Sequence, residues 1–391
     1  MRLHVYPLDA VRFFAAFSVL AFHLAFYSWA APASTVGSMF EKAAPYPLLA
    51  PWTWFGWVGV EVFFVISGFV IANSANNASP MAFLKSRVLR LYPAAWICAF
   101  ITLAAWLLID GATWERLSGG FLHSVTLWVE GPWIDGVYWT LAVEMAFYAL
   151  IFILLVSTRF SRLPWFACAL TLYSAVFLAA RLLFDAALPN MPWQMLIAHE
   201  NLLLLRYGVF FAVGIFMWLS HVRPLRAWEW CVVGLGVIAC CGEIYLRSAE
   251  LAGEETHAAV TMAPIIPTAL WLGILLLMFA FAQAPERFTP KSGRAKGLLE
   301  HLGKMTYPLY LTHSVVGAGI MRLLIEAGVH RWTALAMAAS AMLLTASLIA
   351  LAFEPAVRAM LRAVWSRVER ALRLRALAFL FKSGGAVTPA G

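Results

Sequence analysis

Charge is scarce in this 391-residue chain: 12% of residues are Asp, Glu, Lys or Arg, against 63% hydrophobic. A soluble domain carries about 25% charged residues, so water is excluded as the solvent over most of the surface. Cysteine is also sparse. The five (Cys98, Cys168, Cys231, Cys240 and Cys241) all lie in apolar segments, and none forms a CxxC pair. That pattern leaves no disulfide framework and no zinc site, and the thiols read as packing residues. P-loop, HExxH and GxSxG patterns are missing, as are internal repeats and long linkers. No metal is expected. The net charge of +8 falls in short basic clusters between apolar runs, a pattern that orients a chain in a membrane. The lipid bilayer, and not nucleic acid, is the expected partner.

What the chain has instead is length of apolar sequence. Ten segments are long enough to cross a bilayer: roughly 12–30, 54–72, 93–110, 138–157, 164–184, 202–220, 229–247, 263–284, 306–326 and 333–353. An all-α polytopic membrane protein of about ten transmembrane helices follows. Of the 28 Lys and Arg residues, twenty fall at the two termini or in the loops on their side of the membrane. Four (Lys42, Arg116, Arg247 and Arg331) fall on the opposite side, and Arg12, Arg181, Arg206 and Arg322 lie within spans. The positive-inside rule then expects both termini in the cytoplasm. The opposite loops are acidic and aromatic, with Glu115, Glu130, Asp135, Trp114, Trp128 and Trp133 in 111–137, and Glu250, Glu254 and Glu255 further on. Such Trp residues anchor at the interface. Residues 1–354 are expected to form the transmembrane domain. Residues 355–391 are expected to form a basic amphipathic tail on the anionic inner leaflet.

The chemistry lies in polar residues carried into these spans. Arg12 and His23 are eleven residues apart, three helical turns plus about 20°, so they share a face about 16 Å apart along the axis. With Arg12 at one membrane edge, His23 lies near the midplane of a hydrocarbon layer about 30 Å thick. Arg12 alone reads as an interfacial anchor. A histidine at the midplane needs a hydrogen-bonding partner or an aqueous cavity. A structural contact between helices meets that need. So does a role in taking a proton from a hydroxyl or accepting an acyl group. After Ala30, the sequence Ala31-Pro32-Ala33 looks like a signal-peptidase site, but cleavage there discards both residues.

Glu61, Ser67 and Gly68 interrupt the second span; the small residues permit close helix approach, and Glu61 is suited to pairing with a buried cation. Arg87 and Arg90, one turn apart beside Tyr92 and Pro93, serve topology or clamp phosphate, since guanidinium forks match phosphate oxygens. Glu144 carries a charge into the fourth span, with Arg206, Arg181 and His23 as candidate partners. Phe211-Ala-Val-Gly214 is a small-residue contact. Tyr307, Tyr310 and His313 bring hydroxyls and an imidazole into the ninth span.

Taken together and in order, LDAVRFFAAFSVLAFH, GVEVFFVISGF, RVLRLYP, YWTLAVEMAFY, FAVG and YPLYLTH resemble the acyltransferase-3 family of integral membrane acyltransferases. The resemblance implies a bacterial inner-membrane enzyme that moves an acyl group, most often acetyl, from cytoplasmic acyl-CoA to a hydroxyl. The acceptor it implies is a glycan or lipid-linked glycan facing outward. It implicates His23 and Arg12 in acyl transfer and an arginine pair, here Arg87 and Arg90 with Tyr92 beside them, in coenzyme A handling. Glu144 is a further member, with Glu61, Ser67, Tyr307, Tyr310 and His313 as other polar candidates. Departures are Ala10 and Phe13-Phe14 where the family has glycines, Met145 for a second glutamate and Thr312 for tryptophan. The esterase-like domain of some members is not expected here. A pattern shared with glycerolipid acyltransferases, His4-x₄-Asp9, is a chance match with Pro7 inside it. The competing reading is a transporter or flippase for a lipid-linked sugar or small organic anion; against it, no pair of interrupted helices occurs in matching halves.

Overall fold

A computed structural model describes residues 5–40, 44–184, 199–254 and 263–383. Arg2, His4, Lys42 and Glu255 lie outside them, as do the side chains of Glu254, Arg373, Arg375 and Lys382. Each of the ten apolar segments is built on helix, and no strand occurs among the described residues. The long helices are α1 (Tyr6–Phe22), α2 (Gly59–Ala75), α3 (Pro80–Ala105), α4 (Trp139–Val156), α5 (Leu163–Phe184) and α6 (Gly208–Val222). They continue with α7 (Ala227–Glu254), α8 (Ile265–Gln283), α9 (Gly293–Thr312), α10 (Val315–Glu326), α11 (Arg331–Leu348) and α12 (Glu354–Ser383). Among the described residues eight helices are long and apolar enough to cross a bilayer, and α9 with α10, bent by 69°, makes a ninth if the pair is one span.

α6 is the exception in length. It has 15 residues, and every side chain from Gly208 to Leu219 is buried. An all-round apolar helix is a buried helix, and α6 lies at the centre against α2. Gly68 and Gly214 make that contact possible. A Cβ on Gly68 would strike the Phe211 carbonyl, and one on Gly214 the Val65 carbonyl. Residues 202–207, expected to open this span, form turns instead, with Leu204 at φ 56°. The reason is Arg206, whose guanidinium is bonded to three carboxylates: Glu243 at 2.8 Å, Glu250 at 2.9 Å and Glu200 at 3.3 Å. Arg181 joins the same cluster through Glu200 at 2.9 Å and Glu250 at 3.1 Å. Neither arginine pairs with Glu144, contrary to the expectation above.

α1 packs along α9, where Gly303 leaves room for the Asp9 carboxylate. At His23 the helix widens into a π turn, His23–Tyr27, which re-aims the residues beyond it. The 69° break between α9 and α10 is held by buried Asp135. Its Oδ2 accepts from the Val315 N–H at 3.1 Å and its Oδ1 from the Val137 N–H at 3.2 Å. It thereby satisfies an orphan donor at the start of α10.

α12 continues α11 through another π turn, Ile349–Phe353. Its first part is bonded to the bundle. Arg358 pairs with Glu354 and donates to the Leu89 carbonyl at 3.1 Å, and Glu369 takes Lys85 at 3.3 Å. The tail therefore runs along the beginning of α3.

Candidate active site

Two cavities are stacked along one face of α1. The first, of about 120 Å³, collects Arg12, Ser67, Arg87, Arg90 and Glu144, with Tyr307 and Tyr310 from α9. The second, of about 350 Å³, is lined by His23 and Glu61 together with Tyr310 and Ser314. Val60 and Tyr310 line both, so they form the partition. The spacing of Arg12 and His23 along α1 thus becomes the spacing of two chambers.

In the arginine cavity Glu144 is held from two sides. Its Oε1 accepts from the Ser67 hydroxyl at 3.0 Å and the Tyr148 hydroxyl at 2.6 Å. Tyr148 lies one turn beyond Glu144, a spacing legible in the sequence. Arg87 donates to Ser74 at 2.8 Å and Ser86 at 3.0 Å, and lies over the rings of Phe83 and Tyr148 at 5.4 and 5.5 Å. Arg90 lies over Tyr307 at 5.5 Å. Arg12 is 3.7 Å from Asp9. Guanidinium groups stacked on aromatic rings keep in-plane donors for an anion. Tyr92 is not brought to this site: its hydroxyl donates to the Thr126 carbonyl at 3.2 Å, and it lines neither cavity. Two residues along a helix are about 200° apart, so Tyr92 and Arg90 face opposite ways.

At the second cavity His23 meets His313, the C-terminal neighbour of α9. His23 Nδ1 lies 3.0 Å from His313 Nε2, and the two ring centroids are 4.8 Å apart. His313 Nδ1 is 2.8 Å from the Tyr310 carbonyl oxygen, one of the acceptors left over at a helix end. A carbonyl only accepts, so Nδ1 of His313 carries the proton, and in the neutral ring Nε2 is an acceptor. His23 Nδ1–H then donates, with the Val19 carbonyl at 3.0 Å as its second acceptor. The lone pair of His23 is thereby left on Nε2. In the sequence the two histidines are separate candidates, because their contact spans 290 residues.

Glu61 is buried and, among the described residues, pairs with no cation; its Oε2 has no hydrogen-bond partner, nor has Trp57 Nε1. Leaving such a group unpaired costs about 1–3 kcal/mol. Among the described residues no group of His, Cys, Asp or Glu is placed to hold a metal ion.

A polytopic helical bundle with arginines, a carboxylate and a histidine pair around two adjacent interior cavities fits a membrane enzyme for group transfer. The chain matches the acyltransferase-3 family, described as an acyltransferase domain, over residues 5–353. It belongs to that family and is a membrane acyltransferase. It is similar to the acyltransferase MdmB of Streptomyces mycarofaciens, 29% identical over 330 residues, covering 79% of this chain and 78% of MdmB. It is also similar to BcsY of Komagataeibacter xylinus, a protein named as a membrane-bound transacylase, 33% identical over 138 residues, covering 29% of this chain and 35% of BcsY. No solved structure matches.

Proposed function

We propose that the chain transfers an acyl group, acetyl in the first instance, from acyl-CoA to a hydroxyl of a glycan or glycan precursor on the far side of the bacterial inner membrane. The observation that carries this reading is the His23–His313 pair, which leaves a basic nitrogen at the wall of one cavity beside a partition shared with another. The arginine cavity is the donor side. At about 120 Å³ it admits a short acyl group on its thioester arm, while the nucleotide phosphates stay near Arg87 and Arg90. The basic loops next to these arginines favour the cytoplasm, where acyl-CoA is held.

Two routes use the same lone pair. In the direct route His23 Nε2 takes the acceptor hydroxyl proton as the oxygen attacks the thioester carbonyl; the coenzyme A thiolate leaves and is protonated. In the carrier route Nε2 itself attacks that carbonyl and expels the thiolate. The acceptor hydroxyl oxygen then attacks the acyl carbonyl and displaces imidazole; its proton passes to the freed Nε2 and from there to the thiolate. Either way the imidazole gains positive charge, and its Nδ1–H tightens on His313 Nε2. Arg12, three helical turns from His23 along α1, positions the coenzyme on the donor side in this reading.

The test is to mix the purified protein with labelled acetyl-CoA alone, quench rapidly and map the label. Label on His23 establishes the carrier route. Transfer to an added acceptor without such label establishes the direct one. Normal product from His23→Ala refutes the assignment altogether. A transporter is separated in vesicles, where solute movement without acyl-CoA consumption would replace this reading.

A further inference from the structure

Trp57 and Glu61 sit about one helical turn apart at the beginning of α2, and both line the histidine cavity. Each carries a buried polar atom with no partner: a donor at Trp57 Nε1 and an acceptor at Glu61 Oε2. A hydroxyl is the simplest group that meets both needs, since it donates to a carboxylate and accepts from an indole N–H. The wall adds the flat side chains of Tyr27, Trp139 and Tyr207, which suit a ring with apolar faces and a polar edge. At about 350 Å³ the cavity lies at the small end of ligand sites, about 300–1,000 Å³. Charge narrows the class further. Arg247 is the one Lys or Arg among the described residues lining it. That guanidinium already faces Glu250 at 3.6 Å, so an acidic ligand meets Glu61 without an unmatched cation.

We propose that this cavity is the acceptor site and that it holds a single uncharged sugar ring, gripped through a hydroxyl shared by Glu61 and Trp57. A second hydroxyl of the same ring is presented to His23 Nε2. The proposal rests on the role given to His23 above, but its test does not require turnover.

The full-length protein, in a detergent without a sugar headgroup, is titrated by saturation-transfer NMR with the methyl glycosides of glucose, mannose and galactose. Methyl glucuronide and cyclohexanol serve as controls, and each variant is also titrated with acetyl-CoA. At least one neutral glycoside binds in preference to both controls. Glu61→Gln and Trp57→Phe each weaken it about tenfold or more, with acetyl-CoA affinity unchanged. The proposal is overturned if no neutral glycoside exceeds cyclohexanol, if the glucuronide binds more tightly, or if both variants bind as the parent does. Glycoside binding that depends on Glu61 and Trp57, without any acetyl transfer to the bound sugar, would instead sink the role of His23 and leave the sugar site standing.

Discussion

The half-buried imidazole of His23 serves as a base in one tautomer, and a second imidazole chooses it. His313 is fully buried, and its Nδ1 is committed to the Tyr310 carbonyl. Its Nε2 can therefore only accept, and His23 must point its proton that way. Removing the acceptor while keeping an aromatic ring, His313→Phe, is expected to lower kcat about 10²-fold, a typical share for a positioned base. The KM for the acyl donor should stay near its parent value. His313→Gln restores an acceptor oxygen toward His23 and should recover much of the loss. Steady-state kinetics of the two variants check this, and equal losses from both would reduce His313 to a packing residue. Glu144 follows a different logic. Its two hydroxyl partners come from α2 and from its own helix, so among the described residues it organises the cavity wall through hydroxyls and not through a salt bridge.

Among the elements, the break between α9 and α10 brings the histidines together. A straight helix through residues 293–326 would satisfy its own backbone. The 69° bend instead exposes the first N–H groups of α10, and Asp135 meets the one on Val315 while also binding Val137. Asp135→Ala leaves two buried donors unpaired and is expected to cost about 2–5 kcal/mol of stability. Asp135→Asn keeps one acceptor oxygen and should fall between. Thermal unfolding of the purified protein measures both, and an unchanged midpoint for Asp135→Ala would show that the bend is held elsewhere. Asp135 looked like one more acidic loop residue in the sequence, because its partners are backbone groups, one of them 180 residues away.

For the whole molecule, the proposed direction of transfer depends on which way the bundle faces. Gly119 and Gly293 are exposed, with open space where a Cβ would stand, so cysteines there report topology without disturbing the fold. In a cysteine-free background of intact spheroplasts, Gly119→Cys is expected to react with an impermeant maleimide. Gly293→Cys should react only after permeabilisation. The opposite pattern would reverse the donor and acceptor sides. One broken helix pair occurs among the described residues, whereas the repeat-built transporters place interrupted helices in corresponding positions of both halves. The tail helix is another feature of the whole molecule. Its contacts with Leu89 and Lys85 tie the last helix to the segment bearing Arg87 and Arg90.

The sequence by itself determined the solvent, the helical class and the register of Arg12 with His23. Composition and the helical period are local properties that survive whatever the helices pack against. It also made the Arg87–Arg90 turn visible, and the same geometry separates Tyr92 from Arg90. Tertiary structure decided the rest. Glu144 went to Ser67 and Tyr148, and the Arg206 and Arg181 pairs went to Glu200, Glu243 and Glu250. A buried charge takes the partner that helix packing brings within reach, and sequence distance carries no record of that. For the same reason His23 and His313, 290 residues apart, are two isolated polar residues in the sequence and one hydrogen-bonded pair in the fold.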